Sequence, residues 1–138
     1  MRQSAETLRL DVRRGLTEIT GSVARVVTAA RVRTGLCTVF LRHTSASLVV
    51  QENADPTARQ DLAAFLDRLV PDGDPRFSHV LEGPDDMPAH VKAALLPVSL
   101  SLPIVDGALA LGTWQGIYLW EHRDGRQSRE VVVHVLGE

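Results

Sequence analysis

Several features are scarce in this chain, and each scarcity excludes something. Cys37 is the only cysteine in 138 residues. No intrachain disulfide can form, and a cysteine-rich zinc site is excluded. Its place on an apolar strand face marks a buried structural thiol rather than a nucleophile. Lys92 is the only lysine among 15 basic residues, the others all being arginine. Net charge is only −2, so no bulk electrostatic pull toward nucleic acid or acidic membranes is expected. No stretch approaches the ~20 apolar residues of a membrane span. The first residues, MRQSAETLRLDVRR, contain no apolar core of signal-peptide length, which makes the cytoplasm the expected location. There is no internal repeat, low-complexity segment or interdomain linker. The glycines of a nucleophile elbow are missing around Ser45, and no glycine-rich phosphate loop of known type occurs.

What remains is an ordinary globular composition, 44% hydrophobic and 23% charged, in a chain expected to form one domain over residues 1–138. Residues 6–13 alternate as a first strand. Thr20-Gly21 opens a helical segment that Gly35 is expected to close. Strands follow at 36–43 and 46–51. Asp55-Pro56 is a helix start, an N-cap carboxylate followed by proline in the first turn, and the helix runs over 56–70. Residues 71–85 form the longest loop, and long loops in compact domains are often functional. A shorter helix spans 87–95, starting at Asp85-Asp86. The rest reads as strands at 98–105, 108–112, 115–123 and 128–136, with a turn at Asp106-Gly107 and a hairpin signal at Asp124-Gly125. The pattern predicts an α+β fold with a mainly antiparallel, sandwich-like β-sheet core and about three helices.

Three segments carry polar groups where apolar ones are expected. In RHTSASLVVQEN, residues 42–53, His43 and Glu52 lie in line with apolar strand positions, where a polar side chain needs a partner. The functional reading is a site holding His43, Ser45, Ser47, Glu52 and Asn53. The bland one is a histidine bonded to backbone, with Glu52 and Asn53 forming the turn into the next helix. The second segment runs from His79 through Glu82 and Asp85-Asp86 to His90 and Lys92. Asp86 and His90 are four apart on the predicted helix and face the same way, a spacing that supplies two ligands to one metal or lets a carboxylate orient an imidazole. A helix cap plus a surface histidine is the competing explanation. The third is GTWQGIYLWEHR, residues 112–123. Gln115 and Glu121 share a face with Ile117 and Leu119 and need partners if that face is core. Trp114 and Gln115, beside two glycines, are candidates for a site wall, whereas Trp120 reads as core. His122 and His134 read as structural or exposed.

Together, HTSAS…QENADP at 43–56, EGPDDMPAHVKAALL at 82–96 and LALGTWQGIYLWEHRDG at 109–125 resemble the YjbQ-like family, sometimes labelled secondary thiamine-phosphate synthase. Their order and spacing match, over nearly the whole chain after about residue 17. The resemblance implies a compact α+β homotrimer with a polar cleft, placed at a subunit boundary, gathering His43, Glu52, Asn53, Asp86, His90, Thr113, Trp114 and Gln115. It also implies weak thiamine-phosphate synthase activity, in which a pyrimidine diphosphate joins a thiazole phosphate and pyrophosphate leaves.

The residues are compatible with that chemistry. His43, Glu52 and His90 are the expected catalytic groups. His43, Asp86 and His90 are the expected ligands of a divalent ion, zinc, manganese or magnesium, with the histidines favouring the first two. Ser45, Asn53, Lys92, Thr113, Trp114 and Gln115 are expected to hold a small phosphorylated metabolite, with Lys92 or Arg42 meeting phosphate and Trp114 stacking on a ring. The alternatives are a metal-dependent hydrolase of a small ester or phosphate, and a non-enzymatic trimer that binds a metabolite or metal.

Overall fold

The computed structural model describes residues 1–138. Its strands are β1 (Arg2–Val12), β2 (Gly15–Glu18), β3 (Gly35–Leu41), β4 (Ala46–Glu52), β5 (Ser99–Val105), β6 (Ala108–Leu109), β7 (Gln115–Glu121) and β8 (Gln127–Gly137). Its helices are α1 (Thr20–Ala30), α2 (Pro56–Leu69) and α3 (Asp86–Leu95). Every strand pair is antiparallel. The order is β1-β8-β3-β5-β6 in a five-stranded sheet and β2-β7-β4 in a three-stranded one.

Alternation along the strands explains how the sheets meet. Cys37, Val39 and Leu41 of β3 and Val131, Val133 and Val135 of β8 point inward from the larger sheet. Ala46 and Leu48 of β4 and Ile117 and Leu119 of β7 point inward from the smaller one. All belong to one buried cluster with Val23, Val26 and Val27 of α1. The outer face of the smaller sheet is also covered: Val49, Tyr118 and Trp120 pack with Leu66 of α2. This double coverage is why β7 is buried from Gly116 to Glu121. Burial pushes the Cys37 thiol up to about 11, as suits an inert structural cysteine.

Two local expectations change, and one strand is new. Gly35 does not close α1; the helix ends at Arg31 in the left-handed conformation, φ 54°. Gly35 instead opens β3 opposite Gly137, where an added Cβ would lie 2.2 Å from the Leu136 carbonyl oxygen. Asp124-Gly125 does not make a hairpin of the last two strands. The segment carries the chain from β7 in one sheet to β8 in the other. The short strand β2 is hidden in the sequence because four residues, two of them Gly15 and Thr17, are too few to show a period.

One polar interaction crosses the core. Glu121 faces inward with no exposure, and the Arg129 guanidinium of β8 meets it, Nη2 donating to Oε2 at 2.6 Å and Nε to Oε1. Arg129 also donates to the Ser45 hydroxyl at 2.9 Å. The partner that Glu121 requires is thus supplied by the opposite sheet. Removing one member of a buried ion pair leaves an uncompensated charge and costs about 3–5 kcal/mol. Arg129→Met is expected to lose stability on that scale in urea unfolding. The double variant Arg129→Met/Glu121→Leu should recover part of the loss. A neutral Arg129→Met would contradict this role.

Candidate metal centre

Helix α3 presents Asp86 and His90 on one face, as the i, i+4 spacing requires. Asp86 is almost fully buried, and its Oδ2 lies 3.2 Å from His90 Nε2. The long loop between α2 and α3 folds back so that His79 Nε2 lies 2.9 Å from the same oxygen. Glu82 Oε2 is 3.6 Å from His79 Nε2. One ligand atom from each of His79, Glu82, Asp86 and His90 fits within 4.8 Å of the others.

The protonation pattern of His90 is constrained. Its Nδ1 lies 2.8 Å from the Thr44 carbonyl oxygen, which can only accept, so Nδ1 carries a proton. In the neutral ring Nε2 then presents a lone pair to the Asp86 carboxylate. Two lone pairs facing each other at 3.2 Å need positive charge, either a proton on the ring or a cation between them. Around tetrahedral zinc, with bonds near 2.0–2.1 Å, neighbouring ligand atoms lie about 3.3 Å apart. The donor set therefore fits a divalent ion, which His79, Asp86 and His90 could hold with Glu82 at the more exposed margin.

Asp86 is aimed from behind. Arg123, just past β7, places Nη1 3.1 Å from Asp86 Oδ1 and Nε 3.1 Å from Asp85 Oδ2, and donates from Nη2 to the Glu82 carbonyl at 2.8 Å. Asp85 does not cap α3 with its side chain; it also accepts from the Asp124 backbone N–H at 2.9 Å. Burial opposes ionisation of Asp86, but its hydrogen bond with Glu82, the neighbouring His90 and His79, and Arg123 hold its carboxyl below the usual range. Asp85 is held low in the same way, burial being outweighed by Arg123 and the Asp124 N–H. Arg123 carries no motif of its own in the sequence. The signal for it is the Asp85-Asp86 pair, since two adjacent buried carboxylates require a cation. His79 and Glu82, which flank the motif in sequence, are not among the expected ligands His43, Asp86 and His90.

Within one chain the other expected site residues are dispersed. His43, expected beside Asp86 and His90 as a ligand, lies outside the four-residue cluster. Its Nε2 accepts the Glu130 backbone N–H at 2.8 Å, which occupies the lone pair a metal would use. Ser45 is buried against Arg129, so its hydroxyl is not offered to a substrate. The Lys92 ammonium is 1% exposed and 2.7 Å from Asp67 Oδ1; it ties α3 to α2 and cannot meet a phosphate without breaking that pair. Glu52 Oε2 accepts the Ala54 and Asp55 N–H groups at 3.2 and 3.0 Å, making the turn into α2. Asn53 donates to the Gln115 carbonyl at 3.3 Å, and the Gln115 side chain accepts from Gly112 N–H at 2.8 Å. Thr113 is exposed, as is Trp114, at 64%. In register, Glu52 pairs with Gln115 at one end of β4 and Ala46 with Glu121 at the other. Six strand residues span about 20 Å. Thr113, Trp114 and Gln115 with Glu52 and Asn53 thus form a group at one end of the strand, and His90 reaches the chain at the other.

His122 is buried with Nε2 2.9 Å from the Ser47 hydroxyl. Burial, then the nearby charges of Lys92, Arg14 and Arg129, push it down to about 3. The unfolded chain binds this proton below about 6.5, whereas the folded one does not until about 3. Stability should therefore fall as pH drops from about 6.5, and burial of His43, also pushed down, acts in the same direction. Urea midpoints between pH 7 and pH 5 should show a shallower decline for His122→Gln than for the wild type. Equal declines would contradict a neutral buried His122.

Comparisons with known proteins agree with this fold. The family described as UPF0047 protein YjbQ-like matches residues 6–138. A UPF0047 protein of Synechocystis sp. is 54% identical over 91% of this chain and 85% of its own length. The UPF0047 protein YjbQ of Escherichia coli O157:H7 is 48% identical over 78% of each chain. A crystal structure of a YbjQ-like protein of unknown function from Sulfolobus solfataricus P2 superposes with a TM-score of 0.85 at 26% identity, covering 99% of both chains. A conserved hypothetical protein from Thermus thermophilus gives 0.81 at 41% identity, over 94% of this chain and 99% of that one. The chain belongs to the YjbQ-like UPF0047 family.

Proposed function

We propose that this protein is a small metal-dependent enzyme acting on phosphorylated heterocyclic metabolites. Joining a pyrimidine diphosphate to a thiazole phosphate is the first reaction to test. The observation that carries the reading is the convergence of His79, Glu82, Asp86 and His90 on one point, with Asp86 oriented by Arg123. Two imidazoles with carboxylates suit zinc or manganese better than magnesium, which prefers an all-oxygen shell. A bound ion would stabilise negative charge on a phosphate leaving group. Asp86 and His90 hold their positions through Arg123 and the Thr44 carbonyl. Arg42, exposed and paired with Glu130 at 3.0 Å, takes the phosphate-facing role that Lys92 cannot. The side chains of His79 and Glu82 are 52% and 62% exposed, so water reaches the cluster, and that favours hydrolysis of a small phosphate ester as the second reading.

The homotrimer remains part of the proposal. Leu36, Val105 and Leu136 are exposed on the outer face of the larger sheet, apolar surface that an assembly would cover. Light scattering should give three chains; a monomer would remove this element.

Metal content of the untagged protein by elemental mass spectrometry tests the centre. Near-stoichiometric metal is expected in the wild type and in His43→Ala, and none in Asp86→Ala. Loss of the orienting guanidinium in Arg123→Ala should weaken affinity by about 10–100-fold. No metal after exposure to zinc, manganese and magnesium would overturn the reading. Product formation from both precursors that stops in Asp86→Ala supports the synthase. Hydrolysis without joined product selects the second reading.

A further inference from the structure

A groove of about 550 Å³ opens between the end of β3 and the later turns of α3. Small-molecule sites range over about 300–1,000 Å³. Leu41, Ala93, Ala94 and Val98 line it together with Phe40, which is 45% exposed. None of these side chains offers a hydrogen bond. His90 forms part of the wall, but its Nδ1–H is spent on the Thr44 carbonyl at 2.8 Å. The polar groups left to meet a ligand lie together on Arg42, His43 and Thr44, where the chain leaves β3.

That end carries more positive charge than negative. Glu130 divides its carboxylate between two arginines: Oε1 lies 3.2 Å from Arg9 Nη2, and Oε2 lies 3.0 Å from Arg42 Nη1. One negative charge thus faces two guanidiniums. Asp11, the next acid along β1, stands opposite Ser128, one row farther from the end of β3. A guanidinium has five N–H groups, and Glu130 accepts from only one nitrogen of Arg42, so the others are free. His43 adds a neutral donor. Its Nε2 accepts the Glu130 backbone N–H at 2.8 Å, which places the ring proton on Nδ1. That Nδ1–H has no acceptor within the protein and is open to solvent.

We propose that this groove binds an apolar monocarboxylate, its carboxylate on the Arg42 guanidinium and the His43 Nδ1–H and its aliphatic tail along Leu41, Ala93, Ala94 and Val98. The head carries one charge because one positive charge is left over. The tail is apolar because nothing along those walls can satisfy a second polar group. The site does not rest on the metal-dependent reading, since Arg42 and His43 lie outside the His79–Glu82–Asp86–His90 cluster. A carboxylate bound there excludes a phosphate from Arg42.

The test is an NMR titration of the isotope-labelled full chain at pH 8 with octanoate and with octanamide, its uncharged counterpart. Octanoate is expected to shift Phe40, His43, Ala93 and Val98. It should bind about fivefold more tightly than octanamide, the upper end of what an exposed ion pair contributes. Glu130→Gln removes the competing carboxylate, so it should tighten octanoate and leave octanamide unchanged. Arg42→Gln should bring octanoate down to the affinity of octanamide. Ala93→Trp, which fills the groove, should abolish both. Equal affinity for the two ligands, no tightening in Glu130→Gln, shifts confined to other surfaces, or no shift at millimolar ligand would each overturn the proposal. Tighter binding of octyl phosphate, close to a dianion at this pH, would overturn the assignment to a monocarboxylate.

Discussion

The guanidinium of Arg123 is the interaction on which the site depends. It sits where the chain leaves the smaller sheet, and its nitrogens reach Asp85, Asp86 and the Glu82 carbonyl. Two buried carboxylates would otherwise repel each other and resist ionisation. With Arg123 present, both are held ionised and the long loop before α3 is fastened to the sheet. One oxygen of Asp86 is thereby spent on orientation, and the other is turned toward His79 and His90. A planar, permanently charged fork suits this task better than a lysine.

The smaller sheet makes that anchoring possible. Covered on both faces, β7 delivers Glu121, His122 and Arg123 in succession to three different surroundings. Glu121 faces the core and takes Arg129 from the opposite sheet. His122 faces the helices and stays neutral against Ser47. Arg123, past the strand end, reaches the loop. Three consecutive polar residues at the end of a buried strand are thus each satisfied by a different layer of the fold.

Much of this is legible in the sequence. Period-two alternation marks the long strands, and Asp55-Pro56 marks the start of α2, whose cap bond to the Thr57 N–H is present. The helical spacing of Asp86 and His90 places both on one face. The need of Glu121 for a partner is also legible, but not the partner's identity, because Arg129 lies in the other sheet. What sequence does not supply is distance between segments. The motifs at 43–56 and 109–125 read as parts of one cleft with Asp86 at a subunit boundary, and within one chain β4 separates their functional ends by its own length. His43 looks like a ligand because its backbone acceptor role toward Glu130 depends on a strand 87 residues away. The switch of the last two strands between sheets is invisible for the same reason, since Asp124-Gly125 has the chemistry of a hairpin whichever sheet the next strand joins.

The central claim is that His79, Asp86 and His90 hold a divalent ion without His43. Crystallography of the zinc-loaded protein, with anomalous data collected on either side of the zinc edge, tests it directly. The account predicts one strong anomalous peak about 2 Å from the ring nitrogens of His79 and His90 and from an Asp86 oxygen, with the Glu130 N–H still on His43. A peak bonded to His43, or no peak at the cluster under saturating zinc, would contradict it.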